Sequence, residues 1–293
     1  MRRFRSHHPQ RTAFAYMLIS TTAFSAMSVA VRLVADHLSA SEIVALRNAL
    51  TLLLLAPVAL RHRGALLRTR RLKAHAWRGA IGAIGMLTWT YALTVMPLTH
   101  ATALSFVAPM LTTLFAMLYF KEHAGPRRWL ALCAGLAGVL LILRPAAEGF
   151  DWHALIVIAA TTAWATTAMF VKSLSQTEPP LRMVLYMNLF MCLIAAPFGV
   201  AHWQTPDLRG WGVLLFTAAS SIAMHFAAAR AYALAPLVTL MPLDFSRLVI
   251  TAILAYFLFG ETSDWHSWVG AAIILGSAAL MARRDLKDAG EVQ

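Results

Sequence analysis

Ten apolar stretches, each long enough to cross a bilayer, divide this chain of 293 residues. They lie near 12–34, 42–60, 79–97, 100–120, 127–144, 152–173, 182–202, 210–233, 237–259 and 265–282. A helix needs about 20 mostly apolar residues to span the hydrocarbon layer. A segment that enters that layer must satisfy its own backbone hydrogen bonds, which leaves helices and closed barrels. Long alternation of polar and apolar residues, the mark of a barrel strand, is absent from the sequence. The expected fold is therefore an all-α membrane protein of ten transmembrane helices. Composition agrees, because only 13% of residues are charged and 59% are hydrophobic, against about 25% charged in a soluble domain. A mean hydropathy of +0.65 excludes an ordinary water-soluble enzyme.

The net charge of +12 invites a nucleic-acid reading, but its distribution argues otherwise. Basic residues fill the N-terminal arm (Arg2, Arg3, Arg5, Arg11), the 61–78 stretch, Lys121 to Arg128, Lys172 and Arg182, and the C-terminal Arg283, Arg284 and Lys287. With ten spans, all of these fall on one side. The other side carries chiefly Arg144 and Arg209 beside several acids. That asymmetry is the positive-inside pattern, and it predicts both termini in the cytoplasm. The basic stretch 61–78 then reads as a topology signal, and no nucleic-acid partner is expected. The first apolar run reaches about Val34, too long for a secretory signal, and counts as a span. Cys133 and Cys192 both fall inside spans and form no disulfide or metal motif; they are expected as small buried apolar residues.

Self-comparison reveals a duplication. Thr21-Thr22-Ala23-Phe24 recurs as Thr161-Thr162-Ala163-Trp164, an offset of 140, at which Arg32 meets Lys172, Asn48 meets Asn188 and Ala56-Pro57 meets Ala196-Pro197. Tyr91-Ala92-Leu93 recurs as Tyr232-Ala233-Leu234 at 141, and Glu122 and Trp129 recur as Glu261 and Trp268 at 139. The chain is expected to comprise one repeat over 1–145, a second over 150–285 and a cytoplasmic tail over 286–293. Five spans per half is an odd number, so the second half enters from the opposite side. Inverted repeats of this kind belong to secondary transporters, which bind substrate near the midplane between the halves. No Gly-x-x-x-x-Gly-Lys-[Ser/Thr] occurs, which excludes ATP-driven transport within this chain.

With these features the sequence resembles the EamA branch of the drug/metabolite transporter superfamily. The resemblance rests on the two five-span halves, Phe120-Lys121-Glu122 after the fourth span and Leu258-Phe259-Gly260-Glu261 after the ninth, with Lys121 standing where Gly is usual. It implies a multi-pass carrier of the bacterial inner membrane. Its cargo would be a small metabolite, held in a central cavity lined by helices 1, 3, 4, 6, 8 and 9. Met241 to Leu248 resembles a subgroup labelled S-adenosylmethionine or riboflavin carriers, or metallophore exporters. Export is the direction the family favours and uptake is the alternative.

Ionisable residues inside spans cost about 2.5–3.5 kcal/mol each on insertion scales and so call for a reason. Asp244 and Arg247 lie roughly 10 and 15 Å into the ninth span and, three residues apart, share one face. Arg247 is the candidate for holding a substrate carboxylate or phosphate. Asp244 would orient it, bind an amine or carry a coupling proton; the alternative is an ion pair that pins the helix. His225, mid-span in the eighth, is either a substrate contact or a packing group, and Arg230 near its end can touch substrate or snorkel. Trp89 and Tyr91 in the third span, Phe106 in the fourth and Trp164 in the sixth sit on the cavity-lining helices the resemblance implies. Aromatic walls there suit planar or cationic substrates. Arg47 reads as a snorkelling residue or a partner of Glu42. The acids Glu122 and Glu261 are expected to stabilise the ends of the helices that follow them. Gly135, Gly138, Gly270 and Gly276 suggest close helix packing or a homodimer seam. The 11 His show no His-Glu-x-x-His or His-x-x-x-His spacing, so no metal or cofactor is expected and a membrane enzyme is the weaker class.

Overall fold

The computed structural model describes residues 9–34, 37–61, 65–95, 104–143, 153–200, 203–259 and 265–291. Arg2, Arg3, Arg5, Arg144, Gly260 and Glu261, which figured above, lie outside the described residues. Within them the chain forms α1 (Pro9–Arg32), α2 (Ala40–Arg61), a 3-10 turn (Ala65–Leu67), α3 (Leu72–Val95), α4 (Ala108–Phe120), α5 (Pro126–Leu143) and α6 (Ala154–Ser175). It continues through α7 (Pro180–Val200), α8 (Leu208–Leu234), α9 (Leu237–Asp244), α10 (Ser246–Phe259) and α11 (Trp265–Glu291). No strand occurs among the described residues. Among the described residues, six segments are long and apolar enough to cross a membrane: Gln10–Val31, Ser41–Arg61, Ala154–Ser175, Pro180–Val200, Leu208–Leu234 and Leu237–Leu258. Shorter apolar helices cover Ala108–Phe120 and Trp268–Leu280.

Local chemistry sets the ends of these helices. Pro9, Pro126 and Pro180 open α1, α5 and α7, where a missing N–H costs nothing. Asp207 caps α8 by accepting from the Gly210 N–H at 2.7 Å. Helix α4 ends at Lys121, which adopts φ 54° and ψ 32°, the left-handed conformation that favours glycine. Glu122 does not serve the helix that follows it. It crosses to the start of α9, where it accepts from the Val238 N–H at 3.1 Å and lies 3.8 Å from the Lys172 ammonium. A carboxylate there meets the positive end of the helix dipole.

Helix packing repeats with the halves exchanged. Helix α1 packs on α8 as α3 packs on α6, and α2 meets α8 as α7 meets α3. Likewise α1 lies along α9 and α10 while α6 lies along α4, and the self-matched pairs α2–α7 and α5–α11 join the halves. Close approaches depend on glycine. A Cβ on Gly79 would stand 2.3 Å from Phe190 Cβ, and one on Gly138 would stand 2.8 Å from the Gly270 carbonyl oxygen. Gly135 backs onto Phe245, so these glycines serve packing within the chain, whereas Gly276 faces open space. Cys133 is exposed rather than buried, and Cys192 is intermediate. On the apolar outer wall of a membrane bundle an exposed small thiol needs no partner.

Candidate functional site

The ninth apolar segment, expected as one continuous helix, loses its regular hydrogen bonding for one residue at Phe245 between α9 and α10, while Phe245 keeps helical angles of φ −61° and ψ −23°. Pro242 lacks the N–H that would bond the Val238 carbonyl in the turn before it, and at the break itself the Ser246 hydroxyl donates back to the Leu243 carbonyl at 2.7 Å. Helix α1 supplies compensating hydroxyls. Ser25 donates to the Arg247 carbonyl at 2.9 Å, and Ser246 lies 3.3 Å from the Thr21 hydroxyl. The break carries the charged pair, with an Arg247 nitrogen 3.3 Å from an Asp244 carboxylate oxygen. Their side chains keep 15% and 21% of their exposure, so neither is sealed in close-packed core.

The guanidinium of Arg247 is bounded by two rings. Its central carbon lies 4.7 Å from the centre of Phe106 and 5.3 Å from that of Phe24, distances at which a cation is drawn to an aromatic face. Phe106 also stacks on Phe245 with centroids 6.0 Å apart and planes 16° apart. Phe106 and Phe245 stand 139 residues apart, the offset of the repeat. Phe106 sits in a turn just before α4, with the Val107 N–H donating to the Leu104 carbonyl. Equivalent interruptions of the two halves therefore meet face to face, with the ion pair beside them.

The other expected residues distribute unevenly around this centre. His225 on α8 is half-buried and lies within Coulombic reach of Arg47 and Arg78. Arg230 lies over the Tyr16 ring at 5.7 Å, one turn further along α8. Trp89 and Trp164 pair with each other across α3 and α6, with centroids 5.3 Å apart. Tyr91 is not brought to the cluster. It is 56% exposed and follows Trp77 and Ile84 at seven-residue steps along an exposed apolar stripe of α3. Asp244, Arg247 and Phe106 are the three that touch.

Sequence reasoning missed Phe24, Tyr232 and Arg78. Phe24 was visible in the repeat as the counterpart of Trp164. Tyr232 was visible as the counterpart of Tyr91, yet unlike Tyr91 it lies in reach of Asp244 and Arg247. Arg78 was counted with the basic 61–78 stretch; it is 2% exposed and donates to the Met183 carbonyl at 2.9 Å. Arg47 turns to the Met27 sulfur at 3.5 Å. Glu42 accepts instead from the Ser39 hydroxyl at 2.7 Å and from the Gln204 N–H. No group of three or more His, Cys, Asp or Glu that could hold a metal occurs among the described residues.

The EamA-like transporter family model matches this chain twice, over residues 11–144 and 151–283. The chain belongs to the EamA-like transporter family. It is therefore a multi-pass membrane protein of a transporter family, as the apolar helices require. It is 29% identical over 281 residues to a riboflavin transporter of Brucella anthropi, covering 92% of this chain and 98% of the relative. A Rickettsia bellii S-adenosylmethionine uptake transporter is 28% identical over 260 residues, covering 89% of each chain. A pseudopaline exporter of Pseudomonas aeruginosa is 25% identical over 270 residues, covering 91% and 94%. A solved crystal structure shares the fold with a TM-score of 0.80 at 17% identity, covering 94% of this chain and 98% of the other. The double match gives the sequence duplication its family context, and the exchanged helix pairings are its counterpart in three dimensions.

Proposed function

We propose that this EamA-family protein is a secondary carrier of a small polar or zwitterionic organic metabolite, working by alternating access at the Asp244–Arg247 pair. In this reading ten spans form two inverted five-helix halves, 1–145 and 150–285, with a short tail over 286–293 and both termini in the cytoplasm. The observation that carries it is the interruption of the ninth segment at an ion pair, walled by an aromatic ring from the other half. Interrupted helices at the repeat interface supply binding groups that a continuous helix has already used internally. Arg247 would hold a carboxylate or phosphate and Asp244 an amine or a coupling proton, so the pair matches a zwitterion. His225, Arg230, Trp89 and Trp164 would shape the cavity.

An asymmetry between the halves supports the mechanism. Helix α8 packs against both α6 and α7, whereas the matching contacts of α3 with α1 and α2 are marginal among the described residues. A carrier in either of its two end states holds its equivalent interfaces in different arrangements. Export is the direction we propose from the family resemblance. The opposite direction, uptake, is favoured by the S-adenosylmethionine uptake transporter, which is 28% identical against 25% for the exporter.

The test is a thermal-shift screen of purified protein with amino acids, sulfonium and nucleoside metabolites, flavins and carboxylate-rich chelators, followed by counterflow of hits in proteoliposomes. A ligand that binds the native state raises its melting temperature. Arg247→Ala should abolish the shift and the counterflow. Normal counterflow by the folded fraction of Arg247→Ala would make the pair structural and move the site elsewhere.

A further inference from the structure

The C-terminal ends of α1 and α10 and the start of α8 meet at one surface of the membrane and enclose a groove of about 380 Å³. Each helix gives it a single face. On α1 that face runs from Ala26 to Leu33 and on α8 from Arg209 to Phe216, both in steps of three and four residues, and α10 adds Leu254 and Leu258. Helices α8 and α10 both pack on α1 but make at most marginal contact with each other among the described residues, which leaves the space between them. Gly212 keeps it clear, since a Cβ there would meet nothing within 4 Å.

The groove lies on the outer wall, away from the ion pair. Phe24, which meets Arg247, stands two residues from Ala26 and so points to the opposite side of α1. Seven residues back along α1, the groove face continues through Ile19, which is 51% exposed. The lining side chains are apolar except Arg209, which is exposed and makes no hydrogen bond or ion pair among the described residues. Arg209 occupies the first turn of an apolar segment long enough to span, where a guanidinium meets the headgroup layer. From that level, seven residues of helix carry the groove about 10 Å into the hydrocarbon. In the other half the matching space is closed. At the repeat offsets Gly212 falls on Arg71 and Leu33 on Ser173, and Arg71 donates to the Ser173 carbonyl at 2.9 Å and to its hydroxyl at 2.7 Å.

We infer that this groove binds one phospholipid, with an acyl chain laid along α1 between α8 and α10 and the phosphate on Arg209. An apolar space does not hold water, and lipid chains are what the outer wall of a spanning bundle touches. The guanidinium fork matches two phosphate oxygens at the level where lipid phosphates lie. The inference needs only a membrane-spanning bundle and stands apart from the carrier reading.

Dioleoyl phosphatidylglycerol is the probe, titrated into delipidated full-length protein in detergent and counted by native mass spectrometry. One lipid should bind ahead of a weaker, graded series. Gly212→Leu puts its side chain into open space and replaces a poor helix former, so it should fold. It should weaken the first lipid by roughly tenfold or more, the worth of about two buried CH2 groups. Arg209→Gln should weaken it by about fivefold, the scale of one exposed charge contact. Dioleoylglycerol, which lacks the phosphate, should bind wild type and Arg209→Gln alike. Graded uptake with no distinct first lipid in the wild type, or a first lipid equally tight in Gly212→Leu, overturns the site. Displacement of the lipid by millimolar inorganic phosphate overturns the part assigned to the chain, and equal affinity in Arg209→Gln the part assigned to the headgroup. Should Gly212→Leu fail to fold, Ala26→Leu fills the same groove from α1 and carries the same expectation.

Discussion

Breaking the Asp244–Arg247 pair from its two sides should have unequal effects. At an effective dielectric near 20, unit charges 3.3 Å apart attract by about 5 kcal/mol. Removing one partner of a buried pair costs roughly 3–5 kcal/mol, because the other charge is left unpaired. With 15% and 21% of the side chains accessible, screening trims that to about 2–3 kcal/mol. Arg247 has an alternative environment in the faces of Phe106 and Phe24, each worth about 0.5–2 kcal/mol to a cation. Asp244 has no second cation within ion-pair distance among the described residues. Asp244→Asn should therefore destabilise by about 1 kcal/mol and Arg247→Met by about 3 kcal/mol, or roughly 3 and 9 °C in melting temperature. The double variant, with both charges gone, should recover most of the Arg247→Met loss while its transport stays absent. The assay is thermal unfolding in detergent beside proteoliposome counterflow. Equal losses from the two single variants, or a double variant no better than Arg247→Met, would refute the compensation by the rings.

Three further outcomes test the scaffold. Lys121→Gly should raise the melting temperature by roughly 2 °C, since relief of a left-handed residue, about 1–2 kcal/mol, exceeds the entropy that glycine adds to the unfolded chain; a lower value would mean that the turn is not left-handed. Gly79→Ala should cost at least about 2 kcal/mol, read as a fall in melting temperature, because its Cβ would meet Phe190 Cβ at 2.3 Å. In the turn between α6 and α7, burial pushes the Glu178 carboxyl up, but bonds from Thr69 and Arg182 outweigh it and hold the group below the usual carboxylate range. A depressed native value means that its stabilisation is full above the unfolded value near 4.3 and is lost as pH falls through the native one. Melting temperature should thus drop below about pH 4.3, and Glu178→Gln should flatten that part of the curve.

Membrane class, helix content and the duplication were all legible in the sequence, because bilayer thickness and a near-constant repeat offset act over long stretches of chain. The ion pair was legible too, since carboxylate and guanidinium groups are rare inside apolar runs. What surrounded it was not. The turn at Phe245 carries a Ser246 hydroxyl bonded back to the Leu243 carbonyl, and serine alone is common inside helices. Arg78 looked like one more residue of a basic loop until α3 carried it under Met183. Tyr91 and Tyr232 occupy matching places in the repeat, yet one faces outward and the other lies in reach of the pair. Glu122 was expected to act locally and instead caps a helix more than a hundred residues away.

Superposing the two repeats by number separates scaffold from chemistry. At the 139-residue offset that matches Phe106 to Phe245, Asp244 falls on Ser105 and Arg247 on Ala108. At 140 or 141, Arg47 falls on Met187, Arg78 on Ala219 and Arg230 on Trp89. Each of these charges thus falls on a neutral residue of the other half, while Pro57 and Pro197, the turns at Phe106 and Phe245 and the packing pairs are shared. Duplication supplies two equivalent arrangements that can exchange, which is what an alternating mechanism needs from a backbone. Binding needs the opposite, a single constellation of charge that both arrangements can reach. A chain whose breaks are symmetric and whose charges are not meets both demands. On the proposed carrier reading, cargo selectivity would lie in the unshared charges of α8 and the α9–α10 break rather than in the repeat itself.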